Sequence, residues 1–256
     1  MKHYTIVGNW KMHQTPQQAV RLVERLQQRL KPQTHVTNVV CPPFVDLATV
    51  QGVIEPDLLK LGAQNLHEQD EGAFTGEVSG PMLKDSAEYV IVGHSERRKF
   101  EHERDKRIAL KVAAAIRNGI TPILCVGEDL AERHSGHAER VVVGQLGGCL
   151  SQVSDGEIGK VIIAYEPVWA IGTGESATPK QVEPVVDIIQ KTLNELYGKG
   201  SSKKVEILYG GSTNPDNAKA FLKLKGINGL LVGGASLNYE QFATMCATAG
   251  ELARGR

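Results

Sequence analysis

The chain has 256 residues, and its 29 Lys and Arg residues balance its 29 Asp and Glu residues. A net charge of zero argues against bulk nucleic-acid binding or a basic membrane-binding face. No apolar run approaches the roughly 20 residues of a membrane span, and the N-terminal MKHYTIVGNWK is too short and too polar for a signal peptide, so we expect a soluble cytoplasmic protein.

Short apolar runs recur along the chain and predict β-strands. In chain order they are YTIVGN (4–9), VTNVVC (36–41), LKLGA (59–63), YVIVG (89–93), TPILCV (121–126), KVIIAY (160–165), VEILYG (205–210) and GLLVGG (229–234). Most of these runs are rich in Val, Ile and Leu and do not alternate cleanly with polar residues. That pattern is typical of parallel strands that are buried on both faces.

Longer stretches with helical periodicity lie between most of the predicted strands. In TPKQVEPVVDIIQKTLNELYGKG the apolar residues recur every three or four positions, as they do in PQQAVRLVERLQQRL. Thr178 is the predicted N-cap of the first of these two helices, Pro179 lies in its first turn and Gly198 lies near its end. The second and third connections between strands have the weakest helical pattern.

Eight strand–helix units in ~250 residues favour an α/β fold in which residues 1–256 form a single (β/α)8 TIM barrel. A doubly wound sheet would carry a nucleotide-binding fingerprint directly after its first strand, and YTIVGNWKMH has none. The segment GTGESA (172–177) matches G-x-G-x-x-A, but it lies several residues beyond its strand. A dinucleotide-binding fold is therefore much less favoured than a barrel.

No metal ion or other cofactor is expected. His134 and His137 lie in ERHSGHAER, a polar segment typical of a solvated loop between helices. The sequence also has four cysteines, Cys41, Cys125, Cys149 and Cys246. They form no C-x-x-C pair and have mostly apolar or small neighbours, so we expect buried thiols in a reducing cytosol.

The residues that follow the predicted strands are the candidates for a functional site, because barrel enzymes carry their chemistry at the carboxyl ends of the strands. They are Asn9-Trp10-Lys11, Gly93-His94-Ser95-Glu96, Cys125-Val126-Gly127-Glu128, Glu166-Pro167, Gly210-Gly211-Ser212 and Gly233-Gly234-Ala235-Ser236. Taken singly, most have an ordinary explanation as a surface lysine, a helix cap or a tight turn. Glu166 differs, because we expect an acid directly after VIIAY to be partly desolvated, and buried acids are rare without a function.

Six of these segments resemble the triosephosphate isomerase family. They are GNWKMH, VGHSERRKF, CVGE, AYEPVWAIGTG, YGGST and LLVGGASL, in the family's order and spacing from near residue 8 to near residue 237. The resemblance covers essentially the whole chain, and the segments around His94 and Glu166 are specific to the family. It implies an isomerase that interconverts dihydroxyacetone phosphate and D-glyceraldehyde 3-phosphate through an enediolate, in glycolysis and gluconeogenesis.

The resemblance also implies which residues act on the substrate. Glu166 would be the base and His94 a neutral electrophile with a pKa below the physiological range, a pair of roles that is a standard worked example of the family's chemistry. Lys11 would supply a fixed positive charge, Asn9 would position the substrate, and Glu96 would organise these groups.

A phosphate site is implied in the loops after the seventh and eighth strands. Glycine leaves the backbone N–H open to close approach, and helix N-termini favour anions. Ser212, Gly233 and Gly234 would bind the phosphate there, and Gly172 would add one more N–H donor.

Two loops are expected to take part in function. Residues 167–177, rich in apolar and small residues, would form a lid that closes beside Glu166 and excludes water. Residues 65–80 are long for a connection in a compact barrel. The resemblance implies that this segment docks into a second copy of the chain, with Thr75 reaching Asn9 and Lys11 of that copy in a homodimer.

The sequence departs from the family pattern at two places. Many family members have asparagine or another residue in place of His13, and this difference is peripheral. Many have Lys-Thr-Ala in place of Glu175-Ser176-Ala177. The second departure bears on the kinetics of the lid, because Glu175 puts a negative charge near an anion site.

Two other functions are compatible with a barrel of this kind. One is a Schiff-base aldolase that uses Lys11 on another phosphorylated substrate. The other is a non-catalytic binding protein, which would be expected to have lost at least one of Lys11, His94 and Glu166. All three are present.

Overall fold

The computed structural model describes residues 1–171 and 177–255. Eight parallel strands form a closed barrel in chain order, in which the first strand also pairs with the last. They are β1 (Tyr4–Asn9), β2 (Val36–Cys41), β3 (Lys60–Ala63), β4 (Tyr89–Val92), β5 (Thr121–Val126), β6 (Ile162–Tyr165), β7 (Glu206–Tyr209) and β8 (Gly229–Val232). The predicted (β/α)8 barrel is confirmed.

Helices surround the barrel and connect its strands. The α-helices in the described residues are α1 (Pro16–Gln27), α2 (Phe44–Gln51), α3 (Gly80–Leu83), α4 (Ser95–Phe100), α5 (Asp105–Arg117), α6 (Leu130–His134), α7 (Ala138–Cys149), α8 (Pro179–Tyr197), α9 (Pro215–Leu222) and α10 (Tyr239–Ala253). Short 3-10 helices cover Ile158–Lys160, Val168–Ala170, Ser201–Lys204 and Gly234–Leu237. None of the helices described is both long enough and apolar enough to cross a membrane.

The predicted boundaries of α8 are confirmed. Thr178 is the N-cap, and its backbone N–H donates to Gln181 Oε1 at 2.8 Å. The helix ends before Gly198, which adopts the positive φ of 85° that glycine tolerates best. The third connection between strands has a short helix, as predicted, since α3 has only four residues. The second connection was also predicted to have a weak helix, but its helix α2 has eight residues, as many as α9.

Both faces of the sheet are buried, which explains why the strands read as continuous apolar runs. One cluster of buried side chains forms inside the barrel, and a larger one fills the space between the strands and the helices. The inner cluster comprises Val7, Val39, Cys41, Ile91, Ile123, Cys125, Ile162, Ala164, Leu208 and Leu231. All four cysteines are buried and free, as predicted.

Candidate active site

A cavity of about 230 Å³ lies at the carboxyl ends of the strands. Its walls include the predicted residues Asn9, Lys11, His94, Glu166, Ser212, Gly233 and Gly234. Glu96 lies just outside this cavity and contacts Lys11, and Gly172 lies outside the described residues. The barrel therefore brings together residues that come from five separate parts of the sequence.

Glu166 follows β6 and is only 2% exposed. Its Oε1 lies 2.9 Å from His94 Nε2, and its Oε2 accepts the N–H of Ser95, the first residue of α4, at 2.9 Å. A Cβ at Gly127 would lie 1.7 Å from the Glu166 carbonyl oxygen, so the close approach of these two backbones requires glycine. The sequence had assigned no role to Ser95 or Gly127.

Nearby charges and hydrogen bonds keep Glu166 ionised despite its burial. Burial by itself raises the pKa of Glu166, but the charge and hydrogen bond of His94, the N–H of Ser95 and the charge of Lys11 together hold that pKa below its ordinary value. Near neutral pH the side chain is therefore a carboxylate, the form that can accept a proton.

His94 is the N-cap of α4, which begins at Ser95. Its Nδ1 accepts the backbone N–H of Glu96 at 3.2 Å. An acceptor at Nδ1 places the proton of the neutral ring on Nε2, because a neutral imidazole has one donor and one acceptor nitrogen. That proton points to Glu166, whose Oε1 lies 2.9 Å from Nε2.

The pKa of His94 differs from the expectation drawn from the sequence. Burial lowers this pKa, but the charge and hydrogen bond of Glu166 and the charge of Glu96 raise it more, so it lies above its ordinary value in this arrangement. A pKa below the physiological range is therefore wrong for the state in which Glu166 touches the ring. The reason is a contact between residues that are far apart in the sequence.

Replacing Glu166 with glutamine is expected to lower the pKa of His94, because the largest influence that raises it disappears. Nitrogen NMR of the ring across a pH series measures the change. Glu96→Gln serves as the control and should lower the pKa less, because its influence on the ring is smaller. An unchanged or higher pKa in Glu166→Gln would contradict this account of the pair.

The same contact has a consequence for stability. Because the folded-state pKa of His94 is raised, the contact stabilises the fold fully below the ordinary histidine pKa of about 6.5. This contribution is lost as the pH rises through the folded-state pKa.

Lys11 is held by contacts on its backbone and on its side chain. Its backbone has a φ of 52°, which is uncommon for a residue other than glycine. Asn9 Oδ1 accepts the Lys11 N–H at 3.0 Å, and Gln64 Nε2 donates to the carbonyl oxygens of Lys11 and Cys41, each at 2.8 Å. The Lys11 Nζ lies 2.7 Å from Glu96 Oε1. The ammonium is thus fixed at the edge of the cavity.

Gln64 is a residue that sequence reasoning missed. It stands directly after β3, at the same end of the barrel as the other site residues. Reading the residue that follows the third apolar run would have found it.

The loops after β7 and β8 form the opposite wall of the cavity. Ser212 follows β7, and its carbonyl oxygen accepts a hydrogen bond from Asn217 Nδ2 at 3.2 Å. Gly233 precedes the 3-10 helix Gly234–Leu237, and Ser236 Oγ donates to the Gly233 carbonyl at 2.6 Å. Gly233 and Gly234 line the cavity together with Ser212, so both loops present their backbone to it.

Glu128 anchors the start of the predicted lid segment. This buried carboxylate accepts hydrogen bonds from Trp169 Nε1 at 2.9 Å, Arg133 Nη1 at 2.8 Å and the Tyr165 hydroxyl at 3.0 Å. Trp169 lies in the 3-10 helix Val168–Ala170, directly after Glu166 and Pro167. Glu128 follows the fifth apolar run, where the sequence indicated a polar group but not its partners.

The described parts of the chain offer no candidate metal centre, since no group of three or more His, Cys, Asp or Glu side chains in them could hold an ion. His134 and His137 are both exposed. His134 is the last residue of α6 rather than part of a loop.

Comparison with known proteins identifies relatives of this chain. The family model described as "Triosephosphate isomerase" matches residues 4–249. A curated protein of that name from Caldanaerobacter subterraneus subsp. tengcongensis is 48% identical over 244 residues, which cover 95% of this chain and 98% of that protein. Another from Solibacter usitatus is 42% identical over 246 residues, which cover 96% and 99%. The chain therefore belongs to the triosephosphate isomerase family.

Proposed function

We propose that this chain interconverts dihydroxyacetone phosphate and D-glyceraldehyde 3-phosphate through an enediolate, without a cofactor. The proposal is supported by the name that its relatives share. The observation that carries it is the meeting of a buried carboxylate, an imidazole and an ammonium in one cavity. Moving a proton between adjacent carbons needs a base, and the enediolate oxygens need hydrogen-bond donors or positive charge.

Glu166 is the proposed base, and its movement would prepare His94 for its own role. To reach the substrate carbon, the carboxylate must leave His94 and Ser95. Its departure frees the Nε2–H of His94 to donate to a substrate oxygen. It also removes the largest influence that raises the pKa of His94. Burial, which lowers this pKa, is then opposed only by the weaker charge of Glu96, while the charge of Lys11 lowers it further. The ring would therefore be neutral in the state that holds substrate.

Lys11, Asn9 and Glu96 form the proposed polar wall on the other side of the substrate. The Lys11 ammonium would stabilise the negative charge of the phosphate and of the enediolate. Asn9 and Glu96 would keep it in place through the 3.0 Å and 2.7 Å contacts described above. The N–H groups of Ser212, Gly233 and Gly234 would bind the phosphate.

Residues 167–177 would form a lid on the cavity. Two contacts near the start of this segment support it, since Trp169 donates a hydrogen bond to Glu128 and Ile171 lines the cavity. Gly172, the proposed phosphate donor of the lid, and Glu175 lie outside the described residues.

We propose a homodimer, because a second cavity of about 380 Å³ adjoins the active site. Lys11, His94 and Glu96 line it, together with Met12 and Phe100. Met12 is 93% exposed and Phe100 is 66% exposed, and exposed apolar side chains that line one cavity are typical of a protein–protein contact. The segment 65–80 of a second copy, with Thr75 near its tip, is the proposed occupant.

Removing most of residues 68–78 is expected to give monomers with low activity, because Thr75 would no longer complete the partner's site. Sedimentation reports the mass, and a coupled assay reports the turnover. Circular dichroism of the same sample shows whether the barrel is intact. A folded and fully active monomer would contradict the proposed role of the loop.

Residues 1–256 would form one barrel domain. The protein would act in the cytoplasm, where glycolysis and gluconeogenesis use this reaction.

A coupled isomerase assay on the purified chain tests the proposed activity directly. We expect conversion in both directions without added metal. Borohydride treatment in the presence of substrate separates this reaction from a Schiff-base aldolase. An adduct on Lys11 would favour the aldolase, because an enediolate mechanism leaves no substrate on lysine.

A further inference from the structure

The tip of the segment 65–80 adds nothing to the core, although the two ends of the segment are buried at Leu66 and Ser79. Residues 69–77 are all exposed. Within this stretch the backbone makes only short-range hydrogen bonds, such as those from Phe74 N to Gly72 O and from Glu77 N to Phe74 O. Where the two ends of the segment meet, His67 N donates to Val78 O at 2.7 Å, and the ring centroids of His67 and Phe74 lie 4.2 Å apart. The placement of the tip must therefore come from contacts with the rest of the protein.

Asp70 in the segment accepts hydrogen bonds from Arg117, the last residue of α5, and from Asn118, which follows it. Arg117 donates from Nε to both Asp70 oxygens, at 3.1 and 3.2 Å, and from Nη2 to Oδ1 at 2.8 Å. The same Nη2 donates to the Glu68 carbonyl at 2.7 Å. Asn118 Nδ2 adds a bond of 3.0 Å to Asp70 Oδ1. A planar guanidinium that meets a carboxylate at several points fixes both distance and orientation.

Arg107 at the start of α5 and Lys111 in its middle contact residues near both ends of the segment. Arg107 Nε donates to both Glu68 oxygens, at 3.1 and 3.2 Å, and its Nη2 lies 3.9 Å from Glu77 Oε1. Lys111 Nζ, fully buried, donates to Asn65 Oδ1 at 2.8 Å. One rigid helix thus contacts the segment at Asn65, Glu68, Asp70 and Glu77.

We propose that Arg107 and Arg117 are positioning residues, which hold the segment 65–80 in its docking shape before a second copy binds. The inference rests on the proposed homodimer. A loop that is already ordered loses little conformational entropy on binding, whereas a loop that must be ordered weakens association. The two arginines would therefore act on the affinity of the dimer, and through it on the active site that Thr75 completes.

The test compares Arg107→Gln/Arg117→Gln with the parent and with Arg140→Gln, an exposed arginine on α7 that serves as the matched control. Sedimentation and the dilution dependence of specific activity measure the dissociation constant of the dimer. We expect this constant to rise at least ~10-fold in the double variant and to stay unchanged in Arg140→Gln. At protein concentrations where the double variant is dimeric, its kcat should equal that of the parent.

A charge exchange separates positioning from general stabilisation. Asp70→Arg alone should weaken the dimer, and adding Arg117→Glu should restore much of the affinity. Amide hydrogen exchange at residues 69–77 should be faster in the arginine double variant than in the parent under dilute, monomeric conditions.

Each outcome decides one question. A dimeric parent whose dissociation constant does not change in the double variant would overturn this inference and leave the proposed dimer standing. A parent that is monomeric and active at all concentrations would overturn the dimer itself, and the inference with it.

Discussion

Replacing Glu166 with glutamine is expected to lower kcat by at least the ~10²–10⁴-fold typical of a lost general base, with the barrel intact. Glutamine keeps the shape of the side chain, and its oxygen can still accept the N–H of Ser95. It removes the negative charge that makes Glu166 a proton acceptor. The loss should appear in kcat more than in KM, because the proton moves only in the transition state.

Steady-state kinetics in both directions measure this effect, with thermal unfolding to check the fold. Glu183→Gln is the matched control, since Glu183 is an exposed carboxylate on α8 that does not line the cavity. It should have the kinetics of the parent. Activity near that of the parent in Glu166→Gln would remove Glu166 from the mechanism.

Replacing Lys11 with methionine is expected to lower kcat/KM by at least ~10²–10³-fold, the usual effect of losing one group that stabilises transition-state charge. Methionine has a similar length but carries no charge. The variant should still fold, because its partner Glu96 is partly exposed and can be solvated by water. The positive φ of position 11 is equally uncommon for both residues.

The matched control for this change is Lys191→Met. Lys191 is exposed on α8 and lies 3.8 Å from Glu195, an ion pair of the kind that contributes little to stability. Its kinetics should match those of the parent. If Lys11→Met retained the parent's kcat/KM, the fixed ammonium would have no part in catalysis or substrate binding.

The order of elements and the end of the barrel that carries the site could be predicted from the sequence. Parallel strands buried on both faces must be apolar along their length, so runs such as TPILCV and KVIIAY are visible without a structure. Glu166 could be singled out for the same reason, because an acid directly after such a run is costly to bury. The predicted boundaries of α8 were confirmed because helix caps are local signals.

Only the tertiary structure decided which side chains touch. The contact between Glu166 and His94 joins residues 72 positions apart, and it reverses the expected direction of the His94 pKa. The bonds from Gln64 to the Lys11 backbone, and from Arg117 to Asp70, likewise join distant loops and helices. Periodicity and capping patterns act within a few residues of one another, so they carry no information on these pairs. Closure of the barrel brings the pairs together, and burial then makes their hydrogen bonds and charges strong enough to set the protonation of the site.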